Sequence, residues 1–288
     1  MRFFILIFWA YFLCNTFVIA QKNSNANTSK AFVLGVIEEI PSKILNENRI
    51  LNIYLPEGYQ ANDTTTYPVI YLLDGSADED FIHVAGLIQF NNFSWINRVP
   101  KSIVVGIANI DRKKDFTYPT TIEEDKKRYP TAGKSTNFIA FIEQELQPFI
   151  EKKYRTNQAK TIIGQSLGGL LATEILFTKP HLFDKYIIIS PSLWWDNASL
   201  LNQKPAILQT DFTQPKSIYI GVGKEGLAPS RIAHVMEVDA NLLVEKLHTS
   251  SNKQLSIYFD YLPQENHATI THQAIFNALR LLYPIEKK

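Results

Sequence analysis

Short, unbroken apolar runs punctuate this chain, and they limit what it can fold into more than any other feature. Val69-Ile70-Tyr71-Leu72-Leu73 and Tyr186-Ile187-Ile188-Ile189 have the length of a strand and no polar alternation. Such runs suit strands buried on both faces, as in a largely parallel sheet. With 67–73 and 184–190, further candidates at 32–38, 49–56, 102–109, 160–163, 216–222 and 255–262 make eight strands. The first two are separated by the polar Asn46-Glu47-Asn48 and can pair antiparallel. Between the strands the apolar period changes to that of a helix. In 137–152, Phe138, Phe141, Ile142, Leu146, Phe149 and Ile150 form one stripe, with Pro148 weakening its end. Residues 167–177, 239–248 and 271–282 also read as helices. Strands alternating with helices predict an α/β architecture, a mostly parallel eight-stranded sheet covered on both faces. In such sheets ligands sit beyond the carboxyl ends of the strands, so functional residues are expected just after strands.

The amino terminus is set apart. Arg2 precedes the apolar stretch Phe3-Phe4-Ile5-Leu6-Ile7-Phe8-Trp9-Ala10, and Ala20 follows Val18-Ile19. A positive charge, an apolar core and a small residue predict a secretory signal over 1–20, cut after Ala20. The stretch is broken by Asn15 and Thr16, which makes it short for a membrane span. Polar residues 21–30 read as a flexible leader, and 31–288 as one domain. The product is then periplasmic or secreted, with no stable membrane insertion. Cys14, the only cysteine, falls in the signal, so the mature chain holds no disulfide. Removing Arg2 from 29 basic residues leaves 28 against 28 acidic ones. That balance argues against a nucleic-acid or anionic-membrane partner. The histidines lack metal-ligand spacing and no nucleotide motif is present, so neither a metal nor a cofactor is expected.

One short stretch carries chemistry. Gly164-Gln165-Ser166-Leu167-Gly168 follows the strand Thr161-Ile162-Ile163 and opens an apolar helix. A serine on such a strand–turn–helix bend is lifted above the sheet, and the flanking glycines let strand and helix approach. Ser166 is therefore the expected nucleophile, and the backbone N–H of Leu167 the expected donor to an oxyanion. In this arrangement an acid and then a histidine follow the serine along the chain. Of His234, His248, His267 and His272, only His267 lies just past the last strand and before a helix, so it is the expected base. The acid should follow strand 216–222, where Glu225 is the first carboxylate. Asp239 and Glu237 remain rivals, although a carboxylate at a helix start usually serves the helix itself. A second oxyanion donor is expected near Gly75 or Ser76, in the loop after strand 67–73.

The chain resembles the esterase D-like branch of the α/β-hydrolases. The resemblance rests on Tyr54-Leu55-Pro56-Glu57-Gly58-Tyr59, Tyr71-Leu72-Leu73-Asp74-Gly75, Gly164-Gln165-Ser166-Leu167-Gly168-Gly169, Ser190-Pro191-Ser192-Leu193-Trp194-Trp195 and Glu265-Asn266-His267. The stretch from Ser190 to Trp195, and Asp111 to Thr117, are most similar to the siderophore-esterase side of that branch. The resemblance implies an α/β-hydrolase fold and ester hydrolysis, with a small-molecule ester such as a siderophore lactone as substrate. It does not choose between Glu225 and Asp239.

Trp194 and Trp195 follow strand 184–190 and can wall a substrate cleft, although neighbours in extended chain point opposite ways. Arg112, at the head of a short basic run, is a candidate for binding an anionic substrate; most such runs are simply solvated. An acyltransferase using the same acyl-enzyme, or a binding module on the same fold, are the alternatives to hydrolysis.

Overall fold

The eight apolar runs do form one sheet. In a computed structural model describing residues 29–250 and 253–284, its order is β1-β2-β4-β3-β5-β6-β7-β8. The strands are β1 (Val36–Ser42), β2 (Glu47–Tyr54), β3 (Tyr67–Leu72), β4 (Ile103–Ile107), β5 (Thr156–Gln165), β6 (Lys185–Ile189), β7 (Lys216–Gly223) and β8 (Leu255–Leu262). β2 pairs antiparallel with both β1 and β4, and every other pairing is parallel. The expected signal at 1–20, with Cys14, and nearly all of the expected leader at 21–30 lie outside the described residues. The compact body begins at Leu34. Among the described residues no helix is long and apolar enough to cross a membrane.

The two faces are covered by different helices. Successive residues of a strand point to opposite sides, so Ile162 packs under α4 (Ser135–Phe141), α5 (Gln147–Lys153), α6 (Leu167–Thr178) and α7 (Met236–His248). Its neighbour Ile163 packs under α1 (Phe81–Asn91) and α8 (Ile270–Leu282). β6 is buried from Tyr186 to Ile189. Burying each such side chain stabilises by roughly 1.5–3 kcal/mol, and this two-sided burial is why these strands lack alternation.

The first strand is shifted from expectation, to 36–42 instead of 32–38. Its register, Val36 opposite Ile53 through Ser42 opposite Glu47, is set by a tight turn in which Asn46 takes a positive φ of 54°. The strand runs through Pro41 because β1 is an edge, where a missing N–H leaves no ladder bond broken. The helical stripe at 137–152 is observed in two α segments joined by a π turn over Ile142–Leu146. Pro148 sits in the first turn of the second segment, where its missing N–H is best tolerated. Three helices were not anticipated: α1, α2 (Arg112–Phe116) and α3 (Glu123–Arg128).

Candidate active site

The bend at the end of β5 is strained in the way its sequence predicts. Ser166 has φ 60° and ψ −119°, a conformation that non-glycine residues rarely adopt. The strain is held from several sides. The Ser166 N–H donates to the Ile189 carbonyl at 3.0 Å, and the Ser166 carbonyl accepts from Leu170 and Ser192, each at 3.0 Å. A side chain at Gly164 would stand 2.3 Å from the Gly168 carbonyl oxygen, so only glycine lets β5 and α6 come together here. Leu167 is the first residue of α6, and its N–H has no acceptor within the helix.

Three side chains from separate loops meet above this bend. Ser166 Oγ lies 3.0 Å from His267 Nε2, and His267 Nδ1 lies 2.6 Å from Glu225 Oε2. His267 follows β8 and Glu225 follows β7, so both stand at the carboxyl edge of the sheet. The base loop is pinned by Gln165, whose Nε2 donates to the His267 carbonyl at 2.9 Å. The Glu225 side chain is almost fully buried, while that of His267 is 45% exposed. Burial works to raise the Glu225 pKa, but hydrogen bonds from His267, the Ser190 hydroxyl and the Gly223 N–H outweigh it and hold the carboxyl below its ordinary value. Glu225 is therefore an anion lying against the imidazole.

Asp239 is elsewhere. Its carboxylate is 3.1 Å from His234 Nδ1, and His234 Nε2 in turn faces Asn197 Oδ1 at 3.1 Å. The two expected acids thus have separate histidine partners, and only Glu225 touches His267. Of the two positions expected to supply the second oxyanion donor, Gly75 is occupied. The Gly75 N–H already donates to the Ile107 carbonyl at 3.0 Å, because the loop leaving β3 runs against the end of β4. Ser76 follows in the same loop, where its carbonyl accepts from the Glu79 N–H at 3.1 Å.

That cleft has a volume of about 350 Å³ and includes Ser166, Leu167, Glu225 and His267. Both Trp194 and Trp195 line it, and both are buried. Their rings meet edge to face at 6.2 Å, and Trp195 Nε1 donates to the Tyr118 carbonyl at 2.8 Å. Both were candidates for this wall; the chain leaves β6 in a turn, so neighbouring side chains need not oppose. Leu227, Pro229 and Met236 complete an apolar wall.

The basic run divides its labour. Arg112 lines the cleft but is bound through Nε and Nη2 to Asp74, at 2.6 and 2.9 Å, and to the Gln165 carbonyl at 3.1 Å. Lys114 pairs with Glu47 at 3.1 Å. Lys113 faces the cleft, 5.0 Å from the centre of the Tyr129 ring. The helix carrying all three is fixed from beneath. Fully buried Arg49, which lies 5.3 Å over the Phe138 ring, holds fully buried Asp115 at 2.6 Å. Sequence reasoning missed Ser190, Ser192, Tyr129 and the apolar wall. Ser190 and Ser192 flank Pro191, and each hydroxyl reaches one of the three side chains above the bend: Ser190 Oγ bonds to Glu225, and Ser192 Oγ lies 3.3 Å from Ser166 Oγ. Among the described residues no cluster of histidine, cysteine or carboxylate side chains could hold a metal.

Residues 42–268 match the family model described as "Putative esterase". The chain belongs to that family. It is 31% identical over 278 residues to the ferri-bacillibactin esterase BesA of Bacillus subtilis, covering 91% of this chain and 94% of that one. Among solved structures it is similar to an IroE-like serine hydrolase from Shewanella oneidensis, with TM-score 0.76 and 33% identity over 86% of this chain and 80% of that one. It is also similar to the BES protein from Bacillus cereus, with TM-score 0.75 and 30% identity over 89% and 97% of the two chains. The fold of this esterase is accordingly that of the α/β-hydrolases, and its broad chemistry is ester hydrolysis.

Proposed function

We propose that this esterase hydrolyses carboxylic esters through an acyl-enzyme on Ser166, with His267 as base and Glu225 as acid. The observation that carries the reading is the continuous contact from the strained serine to the imidazole and from the imidazole to a buried carboxylate. With its proton on Nδ1 and donated to Glu225, neutral His267 presents a lone pair on Nε2 to the Ser166 hydroxyl. As Oγ bonds to the acyl carbon, the proton passes to Nε2, and Glu225 stabilises the imidazolium. The Leu167 N–H, at the positive end of α6, faces the developing oxyanion. The imidazolium then protonates the departing alcohol, and water repeats the sequence to free the acid.

The proposed substrates are siderophore-type or similar small-molecule esters. Two things support that class: the relative's activity, and a cleft joining the Lys113 ammonium to Tyr129, Trp194 and Trp195, which suits an acyl group both aromatic and anionic. We further propose export, on the charge and apolar pattern of residues 1–20. Hydrolysis of p-nitrophenyl acetate by Ser166→Ala tests the reading. The expected loss in kcat is about 10⁴-fold or more, and turnover equal to wild type would refute it.

A further inference from the structure

The acid's position is itself built by a second carboxylate. Glu237 lies in the first turn of α7, where an acidic side chain ordinarily serves its own helix. Here it reaches back 11 and 12 residues instead. Its Oε1 accepts from the Glu225 N–H at 2.8 Å and the Gly226 N–H at 3.1 Å, and its Oε2 accepts from Gly226 at 2.9 Å. Two consecutive amides of the acid loop are thus gripped by one carboxylate. Charge-assisted bonds of this kind are roughly twice as strong as neutral ones.

The surroundings explain why the loop needs a grip. Glu225 follows the end of β7 by two residues, and Gly226 turns the chain with φ 72°. From there the chain runs out to Ser230 and returns, touching itself at the single bridge between Leu227 and Val235. Leu227 is 73% exposed, and of residues 227–235 Ala228 alone is buried in the core. On the inner side Lys224 donates to the Glu265 carbonyl at 2.8 Å, which joins the acid loop to the loop bearing His267. Gly223 permits that approach, since a side chain there would stand 2.8 Å from the Glu265 oxygen. On the outer side Glu237 grips the two amides, the Met236 N–H donates to the Gly226 carbonyl at 2.9 Å, the Ala228 N–H donates to the His234 carbonyl at 2.8 Å, and Arg231 pairs with Glu124.

We infer that Glu237 is a positioning residue: its carboxylate fixes the backbone of Glu225 and so aims the Glu225 side chain at His267. This rests on the triad reading above. Without the clamp the Glu225 and Gly226 amides lose their acceptor, the loop relaxes, and the buried carboxylate no longer sits 2.6 Å from Nδ1. Small displacements of this kind cost rate steeply, because a shift of ~1 Å can cost about 10²-fold.

The test uses the intact protein and p-nitrophenyl acetate, whose acyl group is too small to need the apolar wall. Glu237→Ala should lower kcat about tenfold to a hundredfold while KM moves less than about threefold, since the loss falls on the transition state. Glu237→Gln keeps an acceptor at the Oε1 position, which takes both amides, loses the one at Oε2, and should recover part of that loss. Asp239→Asn, two residues further along α7 and paired with His234, should leave kcat within about threefold of wild type. Wild-type kcat in Glu237→Ala, or a Glu237→Gln variant as impaired as Glu237→Ala, overturns the inference. Should Glu237→Ala fail to fold, hydrogen exchange on the wild-type protein decides. The Glu225 and Gly226 amides should then be protected about a hundredfold or more, and unprotected amides overturn the clamp. Ser166→Ala separates the two levels: if it keeps full turnover the triad reading falls, whereas if it is inactive and Glu237→Ala is not, only the clamp falls.

Discussion

Replacing Glu174 by Gln should stabilise the protein, and by more at alkaline than at acid pH. Glu174 lies on α6, 7% exposed, with Oε1 accepting from the Ser135 hydroxyl at 2.9 Å and Oε2 meeting no partner among the described residues. Burial outweighs the bond from Ser135 and pushes its pKa up from 4.5 to about 7. At 1.36 kcal/mol for each pKa unit, that displacement amounts to about 3 kcal/mol of preference for the neutral acid in the folded state. The folded value exceeds the unfolded one, so this contribution is whole below pH 4.5, shrinks as pH rises, and is lost once pH passes about 7. Glutamine cannot ionise, so its advantage over glutamate should widen through that window, by about 2 kcal/mol between pH 5.5 and 8.5. Urea unfolding at the two pH values measures it. With a slope of about 3 kcal/mol per molar, the gap between the two midpoints should widen by about 0.7 M. If the two proteins keep a constant gap across that range, Glu174 is ionised in the folded state and the reasoning fails.

Two further outcomes follow from the contacts around α2. Asp115→Ala strands the fully buried Arg49 guanidinium without this carboxylate, and should destabilise by about 3–5 kcal/mol, read from thermal or urea unfolding. Lys113→Met should raise KM about threefold to fivefold for esters with an anionic acyl group and leave neutral esters unchanged, because an exposed ammonium contributes only about 1 kcal/mol; equal effects on both ester types would exclude a charge role.

The sheet was legible because burial on both faces writes itself as unbroken runs such as Tyr186 to Ile189. The bend at Ser166 was legible because its geometry demands glycine at a fixed spacing. α1 was missed although Phe81, Val84, Ala85 and Ile88 recur at helical intervals, since Gly86 and exposed Ile82 blur the stripe. α2 is only five residues long and too short to show a period; the Asp111 side chain caps it, accepting from Lys114 N. Which carboxylate meets His267 could not be read, because Glu225, Glu237 and Asp239 lie within 15 residues of one another. Their separation is decided by the return of the loop after Gly226, which carries His234 to Asp239. The donor expected at Gly75 failed for a similar reason: strand order, invisible in one dimension, brings Ile107 alongside it.

The Asp74–Arg112 pair has a bearing on how this cleft can diverge. Because Arg112 is already neutralised, the described lining leaves Lys113 as the cation without a carboxylate partner, and one solvated charge discriminates weakly between rival acyl groups. Selectivity must then reside in shape, set by the tryptophan wall and by the lining residues Leu227 and Pro229. Protein engineers seeking new acyl preferences should randomise those two loop positions, leaving the charged scaffold of Arg49, Asp74, Arg112 and Asp115 untouched.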